Sequence, residues 1–184
     1  MKKILGVVGS PRKKGNTDIL VAGVLEGARK EGAKTEVIFL NDLHIAECDG
    51  CHVYWKAKPC KKKDDMNDLY PKISESDVII FGTPVYWYGP TDLLKGFIDR
   101  FVYFNCPESR LKIKGKDAAL VVPFEEENPD TATPLVTFFE RSLNYLEMNI
   151  VGKVIAPGVT LKGEILKKDD RIKEAFELGR RLAQ

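Results

Sequence analysis

Five short apolar runs, each parted from the next by a stretch of helical periodicity, leave this chain few architectures to choose from. The runs are Ile4–Val8, Glu36–Leu40, Val78–Phe81, Ala118–Val122 and Val154–Ala156. Several are continuously apolar, the pattern of strands covered on both faces by helices in a parallel sheet. Between and after them, apolar residues recur at helical spacing. Leu20, Val21, Val24, Leu25 and Ala28 mark the first helix, and Met66, Leu69, Tyr70 and Ile73 the second. Leu93, Leu94, Phe97, Ile98 and Phe101 mark the third, Val136, Phe139, Leu143 and Leu146 the fourth, and Ile172, Phe176, Gly179 and Leu182 the last. Asp64 and Asp65 stand where the second helix needs a cap. The alternation predicts an α/β fold, a doubly wound five-stranded parallel sheet of order 2-1-3-4-5 between two helical layers. With 184 residues, 43% of them hydrophobic, the expectation is one domain over 1–184 with a long cysteine-containing insertion at 41–63.

That strand order puts a ligand at the carboxyl ends of strands one and three. The loop leaving strand one is Gly9-Ser10-Pro11-Arg12-Lys13-Lys14-Gly15-Asn16-Thr17. It combines glycines, hydroxyls, an amide and cations at the start of a helix, where free N–H groups and the positive dipole end favour an anion. It is not a Walker A loop, because five residues separate Gly9 from Gly15 and Asn16 stands where that motif has lysine. It is not the dinucleotide fingerprint either, since Gly6 and Gly9 are three apart. A mononucleotide phosphate held by Ser10, Arg12, Gly15, Asn16, Thr17 and backbone N–H groups is the expectation. The bland alternative is an ordinary turn with surface lysines.

The loop leaving strand three is Gly82-Thr83-Pro84-Val85-Tyr86-Trp87-Tyr88-Gly89-Pro90. Consecutive aromatics in a surface loop cannot all be core. Beside a phosphate site they suit a planar ring system; alone, they would also serve a dimer contact.

Taken together, the two loops and the following Leu94-Lys95-Gly96-Phe97-Ile98-Asp99-Arg100 resemble the NAD(P)H-dependent FMN reductase family, of flavodoxin-like fold, and within it the branch containing the iron–sulfur flavoproteins. The likeness runs from residue 1 to about residue 104 and weakens beyond. It implies FMN as cofactor, with Ser10, Arg12, Gly15, Asn16 and Thr17 at its phosphate. It sets Pro84, Val85, Tyr86, Trp87, Tyr88 and Gly89, with Phe124, around the isoalloxazine. Where the family often carries a glycine-rich third loop, this chain has the acidic, glycine-free Pro123–Asp130, which would disfavour an anionic substrate. The resemblance further implies NAD(P)H as co-substrate, a homodimer or homotetramer, and no catalytic side chain, because the flavin carries the chemistry. The Phe97–Phe104 stretch is a candidate for part of the subunit contact.

The branch carries a C-x2-C-x2-C-x5-C cluster motif. Here Cys48, Cys51 and Cys60 match its first, second and fourth positions, and Tyr54 stands at the third. Four thiolates cannot come from this segment alone. Free thiols, a three-cysteine Fe–S cluster with an outside ligand, zinc with His52 or His44, and a redox-active Cys48–Cys51 pair all remain open, with no metal the favoured reading.

A net charge of +2 argues against a general nucleic-acid binder. Met1-Lys2-Lys3 precedes too short an apolar stretch for a secretory signal, and no run reaches membrane-spanning length, so the expected setting is cytoplasmic and away from membranes. The activity expected is transfer of hydride equivalents from NAD(P)H to a quinone, flavin, metal or protein acceptor. The alternative is a flavodoxin-type electron carrier without turnover of its own. Such carriers are usually strongly acidic, and this chain is nearly balanced.

Overall fold

The computed structural model describes residues 1–56 and 58–184. Five strands form one parallel sheet: β1 (Lys3–Val8), β2 (Lys34–Phe39), β3 (Val78–Gly82), β4 (Asp117–Pro123) and β5 (Asn149–Ala156). Their order is β2-β1-β3-β4-β5, as the alternation predicts. Helices α1 (Asn16–Lys30), α2 (Met66–Glu75), α3 (Asp92–Asp99), the short α4 (Pro107–Arg110), α5 (Thr133–Tyr145) and α6 (Asp169–Ala183) connect and flank them. The core divides at the sheet. Leu5, Val7, Ile79, Phe81, Leu120 and Val122 face α2, α3 and α5, while Ile4, Val8, Ile80, Val121 and Val154 face α1 and α6. Among the described residues no helix is long and apolar enough to cross a membrane.

The expected strand boundaries hold to within two residues except in β5, which begins five residues earlier, at Asn149. That first half belongs to an edge strand, and its side chains alternate between exposed and half-buried. It lacks the continuous apolar signature of the central strands because only part of it is covered. Phe101 lies beyond α3, in a 3-10 segment over Arg100–Asn105. Phe97, Phe101 and Phe104 are all buried in the core, which removes their rings from any subunit contact.

α1 and α6 touch backbone to backbone. A methyl group on Gly179 would meet the Val24 carbonyl oxygen at 1.8 Å, and one on Gly27 the Phe176 carbonyl oxygen at 1.9 Å. Only glycine permits that approach. It fixes the axis of α1, whose N-terminus points at the first loop.

Candidate functional site

The carboxyl ends of β1, β3, β4 and β5 lie on one edge of the sheet, and their loops enclose a pocket. Its walls include Ser10, Arg12, Asn16 and Thr17 from the first loop, and Pro84, Val85 and Tyr86 from the loop after β3. Phe124 and Glu125 follow β4, and Val159 and Thr160 follow β5.

At the phosphate-type end, α1 starts without a side-chain cap, because its N-cap is Gly15. The N–H groups of its first turn therefore keep their capacity for an anion. Ser10 and Thr17 are buried beside them. Lys13 pairs with Asp42 at 2.7 Å. Arg12 forms no ion pair among the described residues; its Nη1 donates to the Thr160 carbonyl at 3.1 Å. An uncompensated guanidinium beside an uncapped helix start suits a phosphate dianion.

The Asn16 side chain is engaged elsewhere. Its Nδ2 donates to the Leu161 carbonyl at 3.0 Å, and its Oδ1 accepts from the Ile165 N–H at 3.2 Å. It staples the loop after β5 onto α1, so what Asn16 can offer a phosphate in this arrangement is its backbone N–H. That β5 loop is the part of the pocket which sequence reasoning missed. Val159 and Thr160 carry no motif; they reach the site through the Val159 N–H bond to the Phe124 carbonyl, at 2.9 Å, and through the staple.

Two buried threonines hold the second loop. The Thr91 hydroxyl donates to the Gly9 carbonyl at 2.5 Å and accepts from Leu94 N–H at 3.2 Å, capping α3. Thr83 Oγ1 accepts from Thr91 N–H at 3.2 Å and donates to the Pro84 carbonyl at 2.9 Å. Gly9 N–H bonds the Gly82 carbonyl at 2.8 Å, and a methyl group on Gly9 would lie 2.7 Å from Leu94 Cβ. The two loops thus meet where a larger residue has no room. Thr91 gave no sequence signal of its own beyond preceding an apolar helix.

Tyr86 and Gly89 close a two-residue turn, Tyr86 N–H to Gly89 carbonyl at 2.9 Å and the reverse at 3.0 Å. Its central residues, Trp87 and Tyr88, sit at φ 48° and 63°. Both occupy the left-handed region, where bulky side chains are strained and glycine or asparagine is the usual choice. The Trp87 side chain is left 98% exposed. Tyr86 lines the pocket, whereas Trp87, Tyr88 and Gly89, which were expected at the site with it, form the far end of the turn and are not among the lining residues. Gly89 N–H is already bonded within the turn, so any donor toward a ring edge comes from Trp87 or Tyr88. The apolar wall of Pro84, Val85, Tyr86 and Phe124 next to the anion end has the chemistry that FMN requires.

A second pocket gathers Cys48, Cys51 and Cys60, with His52, Tyr54 and Arg100. Its base is a buried ion pair between Arg100 and Asp64, whose side chains are 1% and 2% exposed. Arg100 Nη1 bonds Asp64 Oδ2 at 2.5 Å and the Ala46 carbonyl at 2.8 Å, and Nη2 donates to Cys60 Sγ at 3.3 Å. Burial pushes the Asp64 carboxyl up, but the Arg100 guanidinium and the Ala46 and Met66 N–H groups outweigh it and hold it below the usual carboxylate range. The two aspartates expected to cap α2 therefore have wider duties. Asp64 Oδ1 accepts from Met66 N–H at 3.2 Å as a cap would, while Asp65 bonds back to His44 N–H at 2.6 Å. Together they close the insertion at its ends.

Tyr54, at the third position of the cysteine motif, is 7% exposed, and its hydroxyl bonds His52 Nδ1 at 3.1 Å. The cavity between these residues measures ≈ 20 Å³, room for about one water molecule. Three thiols, a tyrosine ring and so small a space do not fit a four-iron cluster. Among the described residues no three His, Cys, Asp or Glu side chains are arranged to hold a metal ion.

Comparison with known proteins bears on both pockets. An iron–sulfur flavoprotein of Archaeoglobus fulgidus is 29% identical over 182 residues, covering 99% of this chain and 79% of the relative. Another, from Methanocaldococcus jannaschii, is 40% identical over 98 residues, 53% of this chain and 51% of the relative. Among solved structures, an FMN-dependent NADH-azoreductase of Bacillus anthracis in complex with FMN superposes with a TM-score of 0.75 at 14% identity, covering all of both chains, a likeness of fold alone. The family model described as NADPH-dependent FMN reductase matches residues 2–158, which take in both loops and the first five helices. The chain belongs to the NADPH-dependent FMN reductase family.

Proposed function

We propose that the chain holds FMN in the pocket at the carboxyl edge of the sheet and uses it to carry two electrons from NAD(P)H to an acceptor, a quinone, flavin, metal or protein. The observation carrying this reading is the meeting, in one pocket, of an uncapped helix start with Arg12 and an apolar wall of Pro84, Val85, Tyr86 and Phe124. When bound, the flavin supplies the hydride chemistry. The protein's part is binding and orientation. Arg12, Ser10, Thr17 and the first-turn N–H groups of α1 hold the phosphate, with Gly15 and Asn16 contributing backbone. Thr83 and Thr91 fix the aromatic turn at a set distance from that phosphate. The Trp87 and Tyr88 N–H groups, left free of the bonds that close the turn, would be the donors for a ring edge, and Gly89 closes the turn. Glu125 at the pocket wall and Glu126 beyond it favour neutral over anionic acceptors. The exposed Trp87 and Tyr88 suit a homodimer or homotetramer contact beside the pocket, and the setting is cytoplasmic.

A flavodoxin-type carrier is the second reading; it requires the aromatic turn to cover the ring and keep nicotinamide off it. An anaerobic absorbance spectrum of the protein with FMN, before and after NADH or NADPH, separates the two. Bleaching of bound flavin by a nicotinamide supports the reductase. Bound flavin that neither nucleotide bleaches supports the carrier, and failure to bind FMN overturns both.

A further inference from the structure

We propose that the cysteine pocket is a peroxide-reactive modification site, with Cys60 as the attacking sulfur and Cys48 or Cys51 as the thiol that closes a disulfide onto it. The pocket plays no part in the flavin reading, and the inference does not rest on that reading.

The three sulfurs are not equivalent. Cys60 Sγ accepts a hydrogen bond at 3.3 Å from Arg100, a guanidinium almost wholly out of solvent and fixed by Asp64 and the Ala46 carbonyl. The guanidinium shares its charge with Asp64, but its Nη2–H is a fixed donor aimed at the sulfur, and that hydrogen bond stabilises the negative charge the sulfur carries when it attacks. Cys51 has the opposite neighbour, since its own N–H donates to the Asp49 carboxylate at 3.1 Å. Asp49 is itself paired with Lys62 at 3.4 Å, and among the described residues Cys51 has no counterpart of the Arg100 bond, which suits it to the second step and not the first. Access is graded too. Cys51 is exposed, Cys48 and Cys60 are half-buried at the same pocket, and Cys106 is buried outside it. A reachable sulfur beside a fixed cation, with further thiols alongside, is the arrangement of peroxide-responsive cysteines.

The steps balance. Cys60 sulfur attacks one oxygen of hydrogen peroxide, the O–O bond breaks, and the other oxygen leaves as water after taking a proton. The sulfenic acid formed on Cys60 is then attacked by the sulfur of Cys48 or Cys51. The S–O bond breaks, the S–S bond forms, and the hydroxyl leaves as a second water carrying the proton of the second thiol. Two thiols and one peroxide give one disulfide and two waters.

The test uses the full chain, reduced, desalted without oxygen and exposed to equimolar hydrogen peroxide. Alkylation and peptide mass mapping follow. The expected result is a disulfide joining Cys60 to Cys48 or Cys51, reversed by dithiothreitol, with Cys106 still free. In Cys60→Ser, thiol loss slows by at least about tenfold. Without any substitution, Cys60 also reacts with iodoacetamide faster than Cys51 in the native protein. A disulfide joining Cys48 to Cys51 while Cys60 stays alkylatable would overturn the proposal. So would equal reactivity of the three thiols, or iron or zinc bound stoichiometrically that must be chelated before any of them reacts.

Discussion

The pocket at the start of α1 and the pocket under the cysteines differ in what holds them. The first is assembled from backbone. Gly9 and Gly82 bond across the sheet edge, Thr83 and Thr91 bond to carbonyls and N–H groups, and its helix is set by glycine contacts with α6. Many weak, local, geometrically fixed bonds share the load. The second has one buried ion pair at its base, Arg100 with Asp64, which also ties Ala46 and touches Cys60, with Asp65 on His44 beside it. The difference is that many bonds fix the geometry of the first pocket, whereas the second depends heavily on one buried pair that a single substitution removes.

Breaking that support gives the largest expected effect. Arg100→Met leaves Asp64 buried and unpaired and should cost about 3–5 kcal/mol, read from urea unfolding. It should also open the insertion to proteolysis while the FMN pocket, once folded, keeps its affinity. A loss below about 1 kcal/mol, the range of surface pairs, would mean that the cysteine pocket has other supports.

The same pair gives a pH dependence of known sign. Asp64 is held below its ordinary value in the folded state, so its contribution is present above the unfolded carboxyl pKa of about 3.9. That contribution fades as pH falls through the lower folded value. Stability against pH should show an acid limb beginning below about pH 4, and Asp64→Asn should flatten it.

Arg12→Ala tests the other side of the comparison. Loss of a charged donor to phosphate should weaken FMN binding by about tenfold to a hundredfold, on the order of 1.5–3 kcal/mol. Equilibrium fluorescence titration reads it, and stability without FMN should fall by no more than the one exposed bond to Thr160, about 1 kcal/mol or less. Thr91→Val removes the cap of α3 and the bond to Gly9, and should cost about 1–2 kcal/mol of stability. Because the load is shared, FMN affinity should fall less than it does in Arg12→Ala. Smallest is Trp87→Gly, which relieves one left-handed aromatic residue and should raise stability by up to about 1 kcal/mol, measured by thermal unfolding. A destabilised Trp87→Gly protein would show that the indole packs on a surface and is not merely strained.

The two pockets were also unequally legible. The meeting of the loops of β1 and β3 in one pocket was readable because the strand order, itself legible from the alternation, brings them together. Thr91 and the Val159–Thr160 loop were not, since a threonine before a helix and a short segment after an edge strand have many uses. The first half of β5 was missed for the related reason that an edge strand need not be apolar throughout. In the insertion, Cys48, Cys51 and Cys60 stood out. What could not be foreseen was that Arg100, amid the apolar residues of the third helical pattern, turns inward and meets Asp64, because a long-range ion pair leaves no periodic trace.

The glycine seam between α1 and α6 also bears on the order of assembly. α1 precedes α6 in the chain, with the other helices and four of the five strands between them. The backbone contact that aims the N-terminus of α1 cannot exist until Gly179 has been synthesised and docked on Val24. A nascent chain stalled before α6 would have the loop after β1 and the aromatic turn after β3, yet its anion site would be unaimed. The aim of that helix start thereby waits on α6, a helix that lines no part of the pocket.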